Sequence, residues 1–247
     1  MVGSFLIEAV VSLLNLRALD PRLPAEFSDV FDRERYARSQ EYTRATTRFA
    51  LVRETVTTLL TLLFLLLGGF NWADTIARLP GFGSIGTGLL FTGLILLLGG
   101  IAGLPFSLYA TFVIEERYGF NRTTARTFAL DLSKTLLLAI LIGAPLLAFI
   151  LWFFAESGSL AWFYCWLVAV AWLVLLQFLA PTIIMPLFNT FTPLPEGELK
   201  ERITAYARRQ DFRIQGIFTM DGSRRSTRLN AFFTGFGRSR RIVFFDT

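Results

Sequence analysis

With 247 residues, 53% of them hydrophobic, and a mean hydropathy of +0.53, the chain is too apolar for an average soluble domain. Its formal net charge of +5 is carried almost wholly by arginine, Lys134 and Lys200 being the only lysines, and the arginines stand beside apolar runs in mixed-sign stretches. Membrane topology accounts for charge placed in that way, so no nucleic-acid partner is expected.

Uninterrupted apolar runs of about 18 residues or more mark segments able to cross a bilayer. The first run, Val2 to Leu19, is short and broken by Glu8 and Asn15; lacking a basic start and a small-residue cleavage site, it reads as a membrane helix and not as a signal peptide. Arg17 to Glu54 is polar, with Pro21 and Pro24 breaking it. Its part Ser28 to Arg53, with Phe31, Tyr36, Tyr42 and Phe49 among charges, predicts a helix lying on or projecting from the membrane surface. Thr55 to Trp72 is a span, Leu79-Pro80-Gly81 with Gly83 a turn, and Ile85 to Ile114 a second, longer span. Gly99 and Gly103 stand at a spacing that predicts close approach of another helix, and Pro105 predicts a kink. Glu115 to Lys134 is a second charged connector, with a turn at Gly119-Phe120-Asn121 and a helix cap at Thr123 or Thr124. Leu136 to Ala155 is the next span, bent at Gly143 and Pro145, and Glu156-Ser157-Gly158-Ser159 makes a tight turn. Leu160 to Leu187 is the last span, with Trp162, Tyr164 and Trp166 near its start and Pro181 and Pro186 distorting its far end. Cys165, inside that span and without an intramolecular disulfide partner, reads as a small packing residue.

The charge distribution orients these spans. Arg17, Arg22, Arg33, Arg35, Arg38, Arg44, Arg48 and Arg53 fill one connector, and Arg117, Arg122, Arg126 and Lys134 the next on the same side, whereas the opposite connectors offer only Arg78. Positive charge collects on the cytoplasmic side. The N-terminus is therefore expected outside or in a lumen, and the C-terminal part in the cytoplasm.

Beyond the linker Thr192-Pro193-Leu194-Pro195, Glu196 to Phe212 predicts an amphipathic helix with Leu199, Ile203, Tyr206 and Ala207 on one face. Three strands follow: Ile214–Met220, then, after an Asp221-Gly222 turn, Asn230–Phe236 and Arg241–Asp246, joined by a turn at Gly237-Arg238-Ser239-Arg240. The predicted fold is mainly α. A polytopic membrane domain with about five transmembrane helices occupies residues 1–191, and a small partial α+β domain of one amphipathic helix with a β-hairpin or three-stranded sheet occupies 192–247. Roughly 55 residues make a thin core, and the abrupt end in a strand predicts that this domain is cut short.

Four long stretches carry a resemblance: FSDVFDRERYARSQEYTRATTRF, FVIEERYGFNRTTARTFALDLSKT, PLFNTFTPLPEGELKERI and IFTMDGSRRSTRLNAFFTGFGRSRRIVFFDT. In this order the chain resembles the type 1 CAAX prenyl proteases, integral-membrane zinc metallopeptidases, from about Leu16 to Thr247. The resemblance implies a membrane endopeptidase that cleaves prenylated C-terminal tails or other membrane-proximal peptides, with the lipid bilayer and a peptide or prenylated protein as partners. It also implies zinc in the complete protein, held by a His-Glu-x-x-His helix and a further glutamate. This sequence contains no histidine, so no residue here is expected to be catalytic or to bind the metal, and the chain is expected to be inactive by itself.

Read from residues alone, Asn230–Thr234 is an ordinary hairpin strand. The resemblance makes it a substrate strand, with Asn230, Ala231, Phe232, Phe233 and Thr234 as candidate substrate-binding residues. An exposed strand edge holds an extended peptide through backbone hydrogen bonds, and the resemblance gives the Asn230 amide to the peptide backbone or to charge developing near the metal. Arg224, Arg225 and Arg228 read as a solvated basic loop, or as a site for a substrate carboxylate or lipid headgroups. Glu115 and Glu116 read as a helix end paired with Arg117 or Arg122. The alternative to a protease part is a catalytically inactive membrane peptide-binding or assembly protein. A transporter is disfavoured, because the later spans carry no ionisable residue at their centres. The bacterial inner membrane and the endoplasmic reticulum membrane fit the charge pattern equally.

Overall fold

A computed structural model describes residues 1–156, 158–235, 237 and 240–247. It is mainly helical, with a small four-stranded sheet near the C-terminus. The helices are α1 (Val2–Ala18), α2 (Arg33–Leu66), α3 (Gly69–Arg78), α4 (Gly83–Tyr109), α5 (Ala125–Leu138), α6 (Ala144–Glu156), α7 (Ala161–Leu179), α8 (Met185–Phe188) and α9 (Glu198–Arg209). The strands are β1 (Phe191–Pro193), β2 (Gly216–Met220), β3 (Ala231–Thr234) and β4 (Arg241–Phe245).

Among the described residues, 4 helical stretches are long and apolar enough to cross a membrane: Arg33–Leu66, Gly83–Glu115, Ala125–Glu156 and Ala161–Phe188. Of the roughly five expected spans, α1 is the one that falls short of this length: its 17 residues rise only about 26 Å against a hydrocarbon core of about 30 Å. Leu66, Leu96 and Leu173 are 80%, 68% and 66% exposed, and side chains of this kind cover the helices. Water would not tolerate such a surface; lipid does.

The membrane helices begin earlier than hydropathy suggests. Asp32 caps α2, its carboxylate accepting from the amides of Glu34 (2.7 Å) and Arg35 (3.3 Å). The charged connector is then the first half of one continuous helix that runs into the apolar segment. Likewise Thr124 Oγ1 accepts from the Thr127 amide at 3.1 Å and starts α5 well before Leu136. Hydropathy marks where a helix enters lipid, not where its hydrogen bonding begins.

Three π-helical segments interrupt the spans: Ala110–Glu115, Ala139–Gly143 and Ala180–Ile184. Two have a cause in the sequence. Pro145 crowds the carbonyl four residues back, at Leu141, and Pro186 crowds that of Thr182; each carbonyl lies in a widened turn that relieves the clash. Pro105 sits inside α4 without ending it. At Gly99, Gly100 and Gly103 a Cβ would meet nothing within 4 Å, so the close helix approach expected from their spacing is not made there.

The chain forms two compact units. The first comprises Met1–Gly83 and Leu90–Gly119. In it α1 packs along α2, Phe49 stacks on Tyr109 at 5.0 Å, and the Tyr42 hydroxyl donates to Glu115 at 2.6 Å. The second comprises Ser84–Leu89 and Phe120–Thr247. In it α6 packs on α7, where buried Cys165 lies against the Ile150 carbonyl, and the sheet closes over Ile217, Met220 and Val243.

Candidate functional site

The sheet order is β1-β2-β4-β3. β2 and β4 pair in parallel with Phe218 opposite Val243, β1 runs antiparallel to β2, and β3 antiparallel to β4. Aromatic and β-branched residues suit these half-buried strands. The expected linker at Thr192-Pro193 is itself a strand: β1 pairs Phe191 with Met220 and Pro193 with Phe218, and the Leu194 amide donates to the Ile217 carbonyl at 2.9 Å. The expected strand Asn230–Phe236 is shorter, at Ala231–Thr234. Phe236, and Arg238 and Ser239 of the expected turn, lie outside the described residues, as does Ser157 of the turn after α6.

Two edges remain, and they differ. β1 is three residues long and ends in a proline without an N–H, which leaves little to pair with. β3 is the other edge. The Phe245 amide donates to the Asn230 carbonyl at 2.9 Å, so hydrogen-bonded pairing falls on Asn230, Phe232 and Thr234. By the alternation of antiparallel pairing, the N–H and C=O groups of Ala231 and Phe233 point away from β4. Asn230 Oδ1 accepts from the Ala231 amide at 2.9 Å, occupying the first of those outward donors from within the chain. Asn230 and Ala231 are exposed, and the Phe233 side chain is 72% exposed.

Beside β3 runs an apolar groove of about 420 Å³, with Ile203, Tyr206 and Phe212 on one wall and Ala231, Phe232 and Phe233 on the other. Phe232 meets the Phe245 ring edge-on at 6.3 Å, and Phe233 meets Phe212 at 6.1 Å. α9 carries Glu198 and Glu201 in its first turn and Arg208 and Arg209 in its last, as its dipole favours. Ala207 is its buried residue, while Leu199 and Tyr206 of the expected apolar face are exposed.

The loop before β3 is pinned, and this the sequence did not reveal. Gly222 is buried where a Cβ would stand 2.4 Å from Cδ2 of Phe245, so only glycine fits without displacing that ring. Asp246 accepts from the Ser223 amide (2.8 Å) and the Ser223 hydroxyl (2.7 Å), and the amide bond holds its carboxyl below the ordinary range. Arg225 corrects the reading of a solvated or ligand-facing basic loop. Its guanidinium grips Asp131 of α5 through two bonds of 2.7 and 3.0 Å and also donates to Asn189 Oδ1 (2.8 Å) and the Phe188 carbonyl (2.7 Å). The bond to Asp131 raises the arginine pKa further above its ordinary value. Its own carbonyl accepts from the Arg122 amide at 3.0 Å. Arg228 lies over the Phe120 ring at 4.6 Å, and Arg224 faces Asp221 at 3.4 Å. One arginine thus ties the loop, the end of α8 and the middle of α5 together. A residue 94 positions away in sequence gives no local signal of that pairing.

Fold and surface together define an integral membrane protein. A family model described as the CAAX prenyl protease N-terminal region, five membrane helices, matches residues 12–190, and one for peptidase family M48 matches 193–247. The chain belongs to the CAAX prenyl protease family. It is 36% identical over 255 residues to a CAAX prenyl protease 1 homolog of Oryza sativa subsp. japonica, covering 100% of this chain and 60% of that protein. It is 33% identical over 258 residues to CAAX prenyl protease 1 of Saccharomyces cerevisiae, covering 100% and 57%. The crystal structure of S. mikatae Ste24p superposes with a TM-score of 0.91 at 34% identity, covering 100% of this chain and 60% of that one. The chain thus spans less than two thirds of the length of these relatives.

Complete members of the peptidase family imply zinc, which needs about three protein ligands. This chain has no histidine, and its one cysteine is buried in α7. Among the described residues no three Asp, Glu or Cys side chains converge on a point that would hold a metal. The described residues do not fit the ion.

Proposed function

We propose that this chain is the membrane-embedded N-terminal part of a zinc metalloendopeptidase, and that β3 holds the peptide to be cut in extended form. The observation that carries this is the unequal pair of sheet edges: β1 ends in Pro193, while β3 turns the backbone groups of Ala231 and Phe233 outward beside an apolar groove. Backbone pairing would hold peptides of many sequences, and Phe233 with the groove would favour an apolar residue, such as a prenylated or membrane-proximal tail. Asn230 would release the Ala231 amide to the peptide and turn its own amide to the peptide backbone. The zinc ligands would come from residues other than these. The N-terminus lies outside or in a lumen, residues 192–247 face the cytoplasm as the start of the peptidase domain, and the membrane is of the bacterial inner or endoplasmic reticulum type.

Photo-crosslinking tests the strand. A photoreactive residue at Phe233 in the full chain, held in nanodiscs, is expected to capture a farnesylated C-terminal peptide without cleaving it, whereas the same residue at Thr192 on the opposite edge is not. Equal capture at both edges, or none at Phe233, overturns the assignment.

The absence of histidine favours a second reading, a peptide-binding membrane protein that does not hydrolyse. The mass of the protein isolated from its native membrane separates the two. A longer product carrying His-Glu-x-x-His supports the peptidase, and a product of 27.9 kDa supports the binding protein.

A further inference from the structure

The first unit contains a second groove, independent of the sheet. Where α1 packs along α2 it leaves a channel of about 470 Å³. Leu13, Leu16, Leu51 and Val52 line its apolar part, and Arg17, Arg44 and Arg48 its polar part. The spacing is deliberate on both helices. Leu13, Leu16 and Arg17 stand at i, i+3 and i+4, while Arg44, Arg48, Leu51 and Val52 stand at i, i+4, i+7 and i+8, so each set forms one face.

The charge on this face is not compensated from within. None of Arg17, Arg44 and Arg48 forms an ion pair among the described residues. The nearby carboxylates are engaged elsewhere or stand off: Asp20 accepts from the Arg22 amide at 2.9 Å, Glu54 pairs with Arg53 at 2.8 Å, and Glu41, one turn before Arg44, makes no ion pair with it. Arg44 donates to the Leu19 carbonyl at 3.1 Å, which fixes its guanidinium at the end of α1. Arg44 and Arg48 repel each other at helical i, i+4 spacing. An arrangement that holds like charges together beside an apolar slot is complementary to an anion with an apolar body.

We infer that this groove is a binding site for an anionic phospholipid, its phosphate among Arg17, Arg44 and Arg48 and its acyl chains along Leu13, Leu16, Leu51 and Val52. The occupant follows from position as well as charge. The arginines stand where α2 passes from its charged half into its apolar half, at headgroup level, and Leu13 and Val52 are 51% and 55% exposed, open to lipid from the side. A free phosphate would leave the apolar part uncovered. A choline headgroup would set a cation beside three guanidinium groups, so a headgroup without a cation is preferred. Guanidinium forks bind phosphate oxygens in pairs, which adds geometry to the attraction.

Native mass spectrometry of the full chain, released from nanodiscs of equal parts phosphatidylglycerol and phosphatidylcholine, tests the site. The wild-type chain is expected to retain phosphatidylglycerol in preference to phosphatidylcholine. Arg17→Gln/Arg48→Gln is expected to lower that retention about tenfold, as the loss of two solvent-exposed charge contacts implies. Arg33→Gln/Arg35→Gln, with the same change of net charge on the same helix, is expected to leave it within about twofold, because these arginines lie outside the groove. Leu13→Trp fills the apolar part, keeps every arginine, and is expected to abolish retention. Added inorganic phosphate is expected not to displace the lipid. Equal loss in both arginine pairs would reduce the effect to net charge, unchanged retention in Leu13→Trp would place the lipid elsewhere, and displacement by phosphate would make the site one for a free anion; each overturns the assignment.

Discussion

Arg225 illustrates how one side chain fixes a site it does not join. Its side chain is 25% exposed and that of Asp131 24%, between the buried ion pairs whose rupture is costly and the surface pairs worth little. Arg225→Met is therefore expected to destabilise the second unit by about 2 kcal/mol, since it strands Asp131 and also loses the bonds to Asn189 and Phe188. Asp131→Leu/Arg225→Met should recover part of that loss, because no charge then remains unpaired. Thermal unfolding of the purified variants in detergent checks both, and a double variant less stable than Arg225→Met would show that the pair is not what holds the loop. Asp246 gives a pH signature. Its carboxyl is held below the ordinary range chiefly by the Ser223 amide, so the folded state binds the proton less readily than the unfolded one. The stabilisation is complete above the unfolded value of about 4 and is lost as the pH falls below it. The stability difference between wild type and Asp246→Ala is thus expected to be constant near neutrality and to shrink in acid; a difference that does not shrink as the pH falls would assign the effect to packing.

At the scale of elements, the outward alternation in β3 separates the proposed peptide binding from sheet stability. Ala231→Pro removes an N–H that points away from β4, so the ladder is expected to survive while peptide affinity falls about tenfold. Phe232→Pro removes a donor to β4 and is expected to unfold the sheet. Circular dichroism with peptide titration separates the two, and an Ala231→Pro chain that binds peptide as well as wild type would rule out strand addition at this edge. The same elements show what the sequence discloses. The long apolar runs declare the spans because the bilayer sets a length that composition alone can meet. The caps at Asp32 and Thr124 follow local rules; the second is apparent before the structure, while the first lies inside the predicted helix Ser28 to Arg53 and shows only once the structure places the start of α2 at Arg33. β1 is hidden between Asn189 and two prolines, and becomes a strand only because β2 offers a partner 27 residues further on at Thr219. The order of the strands and the hold of Arg225 on Asp131 are likewise long-range, and no periodicity encodes them.

For the whole molecule, α1 decides the topology. Four spans place both ends of the chain on one side; a fifth, made by α1, places them on opposite sides. By length α1 falls about 4 Å short of the hydrocarbon core, a mismatch that local thinning of the bilayer meets at a cost of fractions of a kcal/mol per Å. Its exposed Leu6, Ile7, Val10 and Leu14 have no place in water, and the arginine-rich connector that follows it is the strongest retention signal in the chain. Both considerations favour insertion over residence on the surface. Cys165 is the only cysteine, so Cys165→Ser gives a clean background for single-cysteine labelling in intact cells. With α1 inserted, Gly3→Cys and Phe82→Cys react with a membrane-impermeant maleimide added outside, while Arg35→Cys and Arg209→Cys react only after permeabilisation. Protection of Gly3→Cys alone would leave the four long spans in place and put α1 on the cytoplasmic surface, and labelling of Arg209→Cys from outside would invert the arrangement and remove β3 from any cytoplasmic peptide.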